Sequence, residues 1–329
     1  MTLHDPSLVR TAALLGMGSV GSGWATLLLA KGIKLRAYDP GEKARVIAEK
    51  LISGAWPSLV KLKLTTQSEP PLDQITFCDA IEDAARDADV VIENAPEKLP
   101  LKQELLKAVD RVTGPDVPVL SSAGGIAPSD LQRVCTHPQR VAVMHPFNPS
   151  HLIPLVEIVG GEDTAPETVD WARDFALLLG KKPVVVTGEM PGHMVNRLQF
   201  ALVREAMSCL VDGIATAEDI DTAVRYGLAP RWLLQGGLQT VAMAGGPGGM
   251  GSILNHAGAA MEEWWTPRKH LTLTEDVRKK LAEAALDLSK GKEFEDWAAW
   301  RDAQLVEMFT FQAQADGTRP GRDKQWRPQ

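Results

Sequence analysis

The stretch VMHPFNPSHLIPLVEIV, residues 143–159, sets His145 near one end and Glu157 near the other, with mostly apolar residues between them. An imidazole can accept a proton near neutral pH. A carboxylate beside it fixes one tautomer, raises its basicity and stabilises the imidazolium. That pair could remove a hydroxyl proton. Pro146 restricts His145 to extended backbone and lacks an N–H of its own. If the segment PFNPSHLIP turns back, the strand-like run LVEIV brings Glu157 beside the histidine. A buried histidine with an ion-pair partner would show the same spacing, so the pattern alone leaves both readings open.

A second feature is the loop LLGMGSVG, with Gly16, Gly18 and Gly21 spaced G-x-G-x-x-G after an apolar run and before a helical one. The first glycine suits a tight turn, the second a close approach of backbone to pyrophosphate, the third close helix–strand packing. The phosphates would meet free N–H groups at the helix N-terminus. The next apolar run, KLRAYD, ends at Asp39, about 20 residues past the loop, where a carboxylate receives the ribose hydroxyls and repels a 2′-phosphate. The expected cofactor is therefore NAD and not NADP. Arg36 lies earlier on that run and does not reverse the preference. VVIENAPEKLPLK adds Asn94, Ala95 and Glu97 at a strand end and Lys102 on the following helix. They form either a third edge of the cofactor site or a solvated first helical turn.

The elements that must position these groups alternate. RTAALLG, KLRAYD, ITFCD, ADVVIENA, PVLSSA, RVAVMHP, LVEIV and KKPVVVTG read as strands, with amphipathic helices such as LKQELLKAVDRV and ETVDWARDFALLLG among them. Such alternation predicts an α/β fold with a doubly wound parallel sheet. Beyond TGEMPG the strand-like runs give way to helices: MVNRLQFALVREAMSCLVDG, TAEDIDTAVRYG ending at Gly227, TEDVRKKLAEAALDLSKG and EDWAAWRDAQLVEMFTFQAQ. AGGPGGMGSILNHAG reads as a loop entering a helix. The expected organisation is a Rossmann-type NAD-binding domain over 1–187, an all-helical substrate and dimerisation domain over 188–314, and a flexible tail over 315–329.

The totals narrow the partners. A chain of 329 residues has room for two domains, and its net charge of −7 disfavours nucleic acid or an anionic membrane surface as the main partner. Three scattered cysteines, Cys78, Cys135 and Cys209, make no CxxC pair. Neither a disulfide framework nor a bound metal is expected, and a reducing cytoplasm fits. The N-terminus lacks a signal-peptide pattern, and no apolar run reaches membrane-spanning length. His193 and His256 lack metal-ligand spacing and read as structural.

GMGSVGSGWA, VIENAPEKLPLK, HPFNPSHLIPLVEIV and MPGHMVNRLQFALVREA, in this order, resemble the L-3-hydroxyacyl-CoA dehydrogenase superfamily. DGIATAEDIDTAVRYGLAPRW, AGGPGGMGSILNHAG and WRDAQLVEMF resemble its branch containing lambda-crystallin (L-gulonate 3-dehydrogenase) and L-carnitine dehydrogenase, and EEWWTP leans towards the carnitine enzymes. That branch oxidises free 3-hydroxy acids. The resemblance implies that His145 is the general base, Glu157 its carboxylate partner and Asn196 the amide beside the substrate oxygen. It places Gly16, Gly18, Gly21, Asp39, Ala95, Glu97 and Lys102 at the cofactor. One position departs from the pattern: Gly124 stands where the family usually has a serine that touches the substrate oxygen, and Ser122, Ser121 or a water would replace it.

Arg231 in GLAPRWLLQGG suits a substrate carboxylate, since a guanidinium binds one in bidentate fashion. Trp232, with Trp264 and Trp265, would offer aromatic faces to a quaternary ammonium, or serve as core or dimer interface. The reading is an NAD-dependent dehydrogenase of a small free 3-hydroxy carboxylic acid, homodimeric through the helical domain. A non-catalytic NAD-binding protein and a CoA-thioester enzyme are the alternatives.

Overall fold

The computed structural model describes residues 3–265 and 271–318 and divides into two compact units, Met1–Leu198 and Gln199–Gln329. The first unit alternates strands and helices: β1 (Thr11–Leu15), α1 (Ser19–Ala30), β2 (Lys34–Tyr38), α2 (Ala44–Lys61), β3 (Ile75–Phe77), α3 (Ile81–Ala85), β4 (Val90–Glu93), α4 (Leu99–Asp110), β5 (Val119–Ser121), α5 (Pro128–Gln132), β6 (Val141–Pro146), β7 (Leu155–Gly160), α6 (Pro166–Leu178) and β8 (Lys182–Val186). The sheet order is β3-β2-β1-β4-β5-β6-β7-β8.

The apolar runs become strands because both faces of the sheet are covered. In β1, Ala12 and Leu14 face one core with Trp24, Trp56 and Trp171 from α1, α2 and α6. Ala13 and Leu15 face the other, with Ala84, Leu105 and Leu131 from α3, α4 and α5. Burial on both faces explains why the strand sequences are continuous rather than alternating. The chain order reverses between β1 and β4, which opens a crevice at the carboxyl ends of those strands.

One pair breaks the expected parallel pattern. β6 and β7 are antiparallel, while the other neighbouring pairs are parallel. The linking segment 147–154 is too short for a crossover, which needs a dozen or more residues, so the chain can only turn back. Lys181 secures that turn: its ammonium donates to the carbonyls of Ser150 and Ile153 and lies 5.3 Å from the centre of the Trp24 ring. Burial pushes Lys181 down to about 7.

α7 (His193–Val211) follows, and the division between the units falls within it. The second unit is helical: α8 (Ala217–Thr222), α9 (Ala229–Gln235), α10 (Gly237–Ala244), α11 (Gly249–Trp265), α12 (Glu275–Ser289) and α13 (Phe294–Thr318). Thr216 caps α8, accepting the Asp219 N–H at 3.1 Å. The helix expected to stop at Gly227 continues instead as a π-helical turn, Ala223–Leu228, into α9. Gly227 does not adopt the left-handed backbone of a helix-ending glycine, and Pro230 sits in the first turn of α9. The Gly-rich stretch holds a short 3₁₀ turn, Gly246–Gly248, before α11. Of the expected tail, residues 315–318 belong to α13; residues 319–329, and Thr266 and Pro267 of EEWWTP, lie outside the described residues. No helix among the described residues is long and apolar enough to cross a membrane.

Candidate active site

The glycine loop lies at the crevice. Gly16 has φ +92°, and a Cβ there would stand 2.9 Å from the Asn94 carbonyl oxygen. A Cβ on Gly21 would stand 1.9 Å from the Gly16 carbonyl oxygen, so helix and loop meet only because Gly21 lacks a side chain. Gly18 is the N-cap of α1 with no side-chain cap, and the space its Cβ would take is open. The first-turn N–H groups thus face room for a phosphate, and the cradle fits a dinucleotide. Asp39, one residue beyond β2, accepts the Met17 N–H at 2.7 Å through Oδ2 and the Gly41 N–H at 2.9 Å through Oδ1. Arg36 is turned away, donating through Nε and an η nitrogen to the Asp83 carbonyl.

Beyond β4 the residues divide. Lys102 is buried, and its ammonium donates to both oxygens of Glu93 at 2.9 Å and to the Ala95 carbonyl at 3.0 Å. Three protons meet three acceptors, leaving none for a ligand. Neither a solvated turn nor a free cation describes it. Glu93, which the sequence reading passed over as the end of a strand, is fully buried and also accepts the Ala95 N–H at 2.6 Å and the Ser121 hydroxyl at 2.5 Å. A carboxylate closing an apolar run, with a lysine nine residues on, was the available signal. Glu97 is more exposed, and its Oε1 accepts the Gly125 and Ile126 N–H groups at 2.8 and 3.1 Å.

Ser122 bridges α1 and the segment after β4. Its hydroxyl donates to Asn94 Oδ1 at 2.8 Å and accepts from Trp24 Nε1 at 3.0 Å. Its one proton is therefore committed to Asn94.

His145 and Glu157 are direct partners across the β6–β7 pair. His145 Nδ1 lies 3.1 Å from Glu157 Oε2, and Glu157 is fully buried. A carboxylate only accepts, so Nδ1 carries the proton and Nε2 keeps the lone pair. The other carboxylate oxygen of Glu157 accepts the Met194 and Val195 N–H groups at 3.0 and 2.8 Å, from the first turn of α7. Burial pulls the His145 imidazole below its usual value; Glu157 opposes this, His193 adds to it and Glu97 opposes it.

Nε2 faces bare backbone. A Cβ on Gly124 would lie 3.2 Å from His145 Nε2 and 3.6 Å from Asn196 Nδ2. Asn196 Nδ2 donates to the Gly124 carbonyl at 2.8 Å, which sets its amide beside the working nitrogen. His193 is also here, its ring centre 5.6 Å from that of His145. The first unit thus gathers His145, Glu157 and Asn196 in one cluster. Among the described residues no cluster of histidine, cysteine or acidic side chains could hold a metal ion.

Arg231 and Trp232 lie on α9 of the second unit. Arg231 is exposed and its Nε donates to the Gly227 carbonyl at 3.0 Å; Trp232 is 39% exposed.

Residues 11–190 match the NAD-binding domain of 3-hydroxyacyl-CoA dehydrogenase, and residues 192–297 match its C-terminal domain. The chain is 39% identical over 307 residues to an L-carnitine dehydrogenase of Streptomyces coelicolor, covering 93% of this chain and 96% of that one. It is 36% identical over 301 residues to an L-carnitine dehydrogenase of Bacillus cereus, covering 92% of each. Among solved structures, an NAD+-dependent dismutase, 5-formyl-3-hydroxy-2-methylpyridine 4-carboxylic acid 5-dehydrogenase, superposes with a TM-score of 0.81 at 30% identity, over 96% of this chain and all of that one. The glycine loop and the histidine–carboxylate pair thus stand in a chain that belongs to the 3-hydroxyacyl-CoA dehydrogenase family and carries its NAD-binding domain.

Proposed function

We propose that this enzyme oxidises a small free 3-hydroxy carboxylic acid, L-carnitine-like or L-gulonate-like, to the 3-oxo acid. The observation that carries the reading is the His145 imidazole, with its proton held on Nδ1 by Glu157 and its Nε2 open beside Gly124 and Asn196. His145 Nε2 takes the hydroxyl proton as the C–H bond of the same carbon breaks. Glu157 stabilises the imidazolium that forms. Asn196 stands where the substrate oxygen becomes a carbonyl. When bound, NAD supplies the hydride acceptor. The glycine loop and the N-terminus of α1 hold its phosphates, and Asp39 accepts its ribose hydroxyls.

Lys102 supports the cofactor site through Glu93 and the Ala95 carbonyl, with Glu97 bracing the loop opposite. Ser122 holds the Asn94 side chain beside the glycine loop, its proton being given to that amide oxygen. Arg231 binds the substrate carboxylate, and Trp232 contacts the remainder of the substrate. A free acid is favoured over a CoA thioester by the relatives named L-carnitine dehydrogenase and by this arginine.

The active form is a cytoplasmic homodimer joined through the helical unit. In that unit Thr240 and Val306 are the only buried residues among those described, while Leu238, Phe294, Tyr226 and Leu286 are each at least 70% exposed. An apolar surface of that extent calls for a second copy to cover it.

The deciding experiment measures NADH formation with L-carnitine, L-gulonate, 3-hydroxybutyrate and 3-hydroxybutyryl-CoA. Turnover of a free acid is expected. Turnover of the CoA ester alone would move the assignment to the thioester reaction, and silence with all four would leave an NAD-binding protein without this chemistry.

A further inference from the structure

The first turn of α7 makes three kinds of contact at once. His193 Nε2 lies 3.1 Å from the Ala123 carbonyl oxygen. The Met194 and Val195 amides hold Glu157, and the Asn196 side chain holds the Gly124 carbonyl. One turn of helix therefore grips both the carboxylate behind His145 and the loop in front of it.

His193 is the unusual member. Its φ is +50°, in the left-handed region that a residue with a Cβ seldom enters, and Gly192 before it has φ +82°. These two residues swing the chain from the exit of β8 into α7 and aim the amides of the next two residues at Glu157. The ring is 1% exposed. Because a carbonyl only accepts, the ring proton sits on Nε2, and Nδ1 has no hydrogen-bond partner among the described residues. A phenyl ring would fill the same space without an orphaned nitrogen. The imidazole provides one thing that ring would not, the bond to Ala123, immediately before Gly124. Strained backbone of this kind persists where the surroundings over-determine it, and such places cluster at active sites. The titratable groups facing His145 are Glu157 from β7, Glu97 from the segment after β4, and His193 itself.

We propose that His193 is a positioning residue of this site. Its side chain pins the Ala123 carbonyl so that Gly124 and Asn196 stay opposite His145 Nε2, and its left-handed backbone keeps the amides of Met194 and Val195 on Glu157. The kinetic consequence rests on the dehydrogenase reading; the structural one does not.

The test compares H193F, H193N and H193Q in the full chain. Phenylalanine keeps the bulk and loses the donor. Asparagine tolerates the left-handed backbone but is too short to reach Ala123. Glutamine places an amide donor at about the reach of Nε2. Two readouts are taken: kcat and KM with the best acid of the panel, and the NMR signal of the His145 Nδ1 proton in the protein without substrate. H193F and H193N should each lose at least tenfold in kcat with KM for NAD within twofold, and their Nδ1 proton should exchange faster with water. H193Q should return to within threefold of the parent in kcat and restore the slow exchange. A parent-like kcat and Nδ1 signal in both H193F and H193N overturns the proposal, as does an equal loss in all three variants. Should the protein oxidise none of the acids, the Nδ1 proton still decides the role of His193, separately from the reaction.

Discussion

Asp39 Oδ2 accepts the backbone N–H of Met17, a residue of the glycine loop itself, at 2.7 Å. That carboxylate is therefore a strut of the loop. Its two oxygens still have lone pairs beyond those used by Met17 and Gly41. Asp39→Ala should weaken NAD binding by about 10- to 100-fold, in line with the roughly 1.5–3 kcal/mol of hydrogen bonds to a charged group. It should also narrow the gap between NAD and NADP. Arg36 does not step in for a 2′-phosphate in the parent, because its guanidinium is given to the Asp83 carbonyl. The measurement is kcat/KM with each cofactor; an unchanged ratio would show that Asp39 serves the loop alone.

In the proposed reaction, His145→Ala removes the general base. A positioned general base contributes about 10²- to 10⁴-fold, so kcat should fall by that factor. NADH binding, followed by nicotinamide fluorescence, should stay within about threefold, because among the described residues the glycine loop is held by Asn94 and Asp39 and not by this ring. A variant that keeps more than a tenth of the parental kcat would remove His145 from the proton transfer.

The pH profile has a definite sign. The folded state holds the His145 imidazole below its ordinary value of 6.5, chiefly by burial. In the proposed reaction the ring must be unprotonated for oxidation, so kcat/KM should rise with pH along a limb centred below 6.5. Stability follows the same direction. Below 6.5 the unfolded chain takes up a proton before the folded chain does, so this residue withdraws stability as pH falls from 6.5 through its folded value. Glu157→Gln removes an influence that raises the ring's affinity for a proton; the acid limb should move to lower pH while kcat drops. An acid limb centred above 6.5 in the parent would contradict the burial argument.

The parts legible in the sequence are those that local pattern controls. The strands of the first unit followed from apolar runs because a sheet covered on both faces demands them. The glycine loop and Asp39 followed from spacing within one βαβ unit. The pairing of His145 with Glu157 depended on a turn whose hold comes from Lys181, some 30 residues on, which no local pattern reveals. His193 read as structural because it lacks ligand spacing; only the left-handed entry into α7 brings it beside His145. Gly227 read as a helix end because glycine so often is one, yet the π-helical turn carries the chain through it.

Lys102 was legible as a charged residue on the helix after β4 but not as a buried one, since burial depends on how α4 packs against the sheet. Its ion pair with Glu93 is the sharpest remaining distinction. If the pair is structural, Lys102→Met leaves a carboxylate buried without its cation, which should cost about 3–5 kcal/mol and lower the denaturation midpoint clearly. The double variant Glu93→Gln with Lys102→Met removes both charges, so it should recover part of that loss. KM for NAD should change little in either variant at temperatures where the protein is folded. If Lys102 instead bonded the cofactor directly, the single variant would raise KM for NAD by tenfold or more, and neutralising Glu93 would not recover it. Thermal melts and NAD saturation curves on the two variants separate these outcomes.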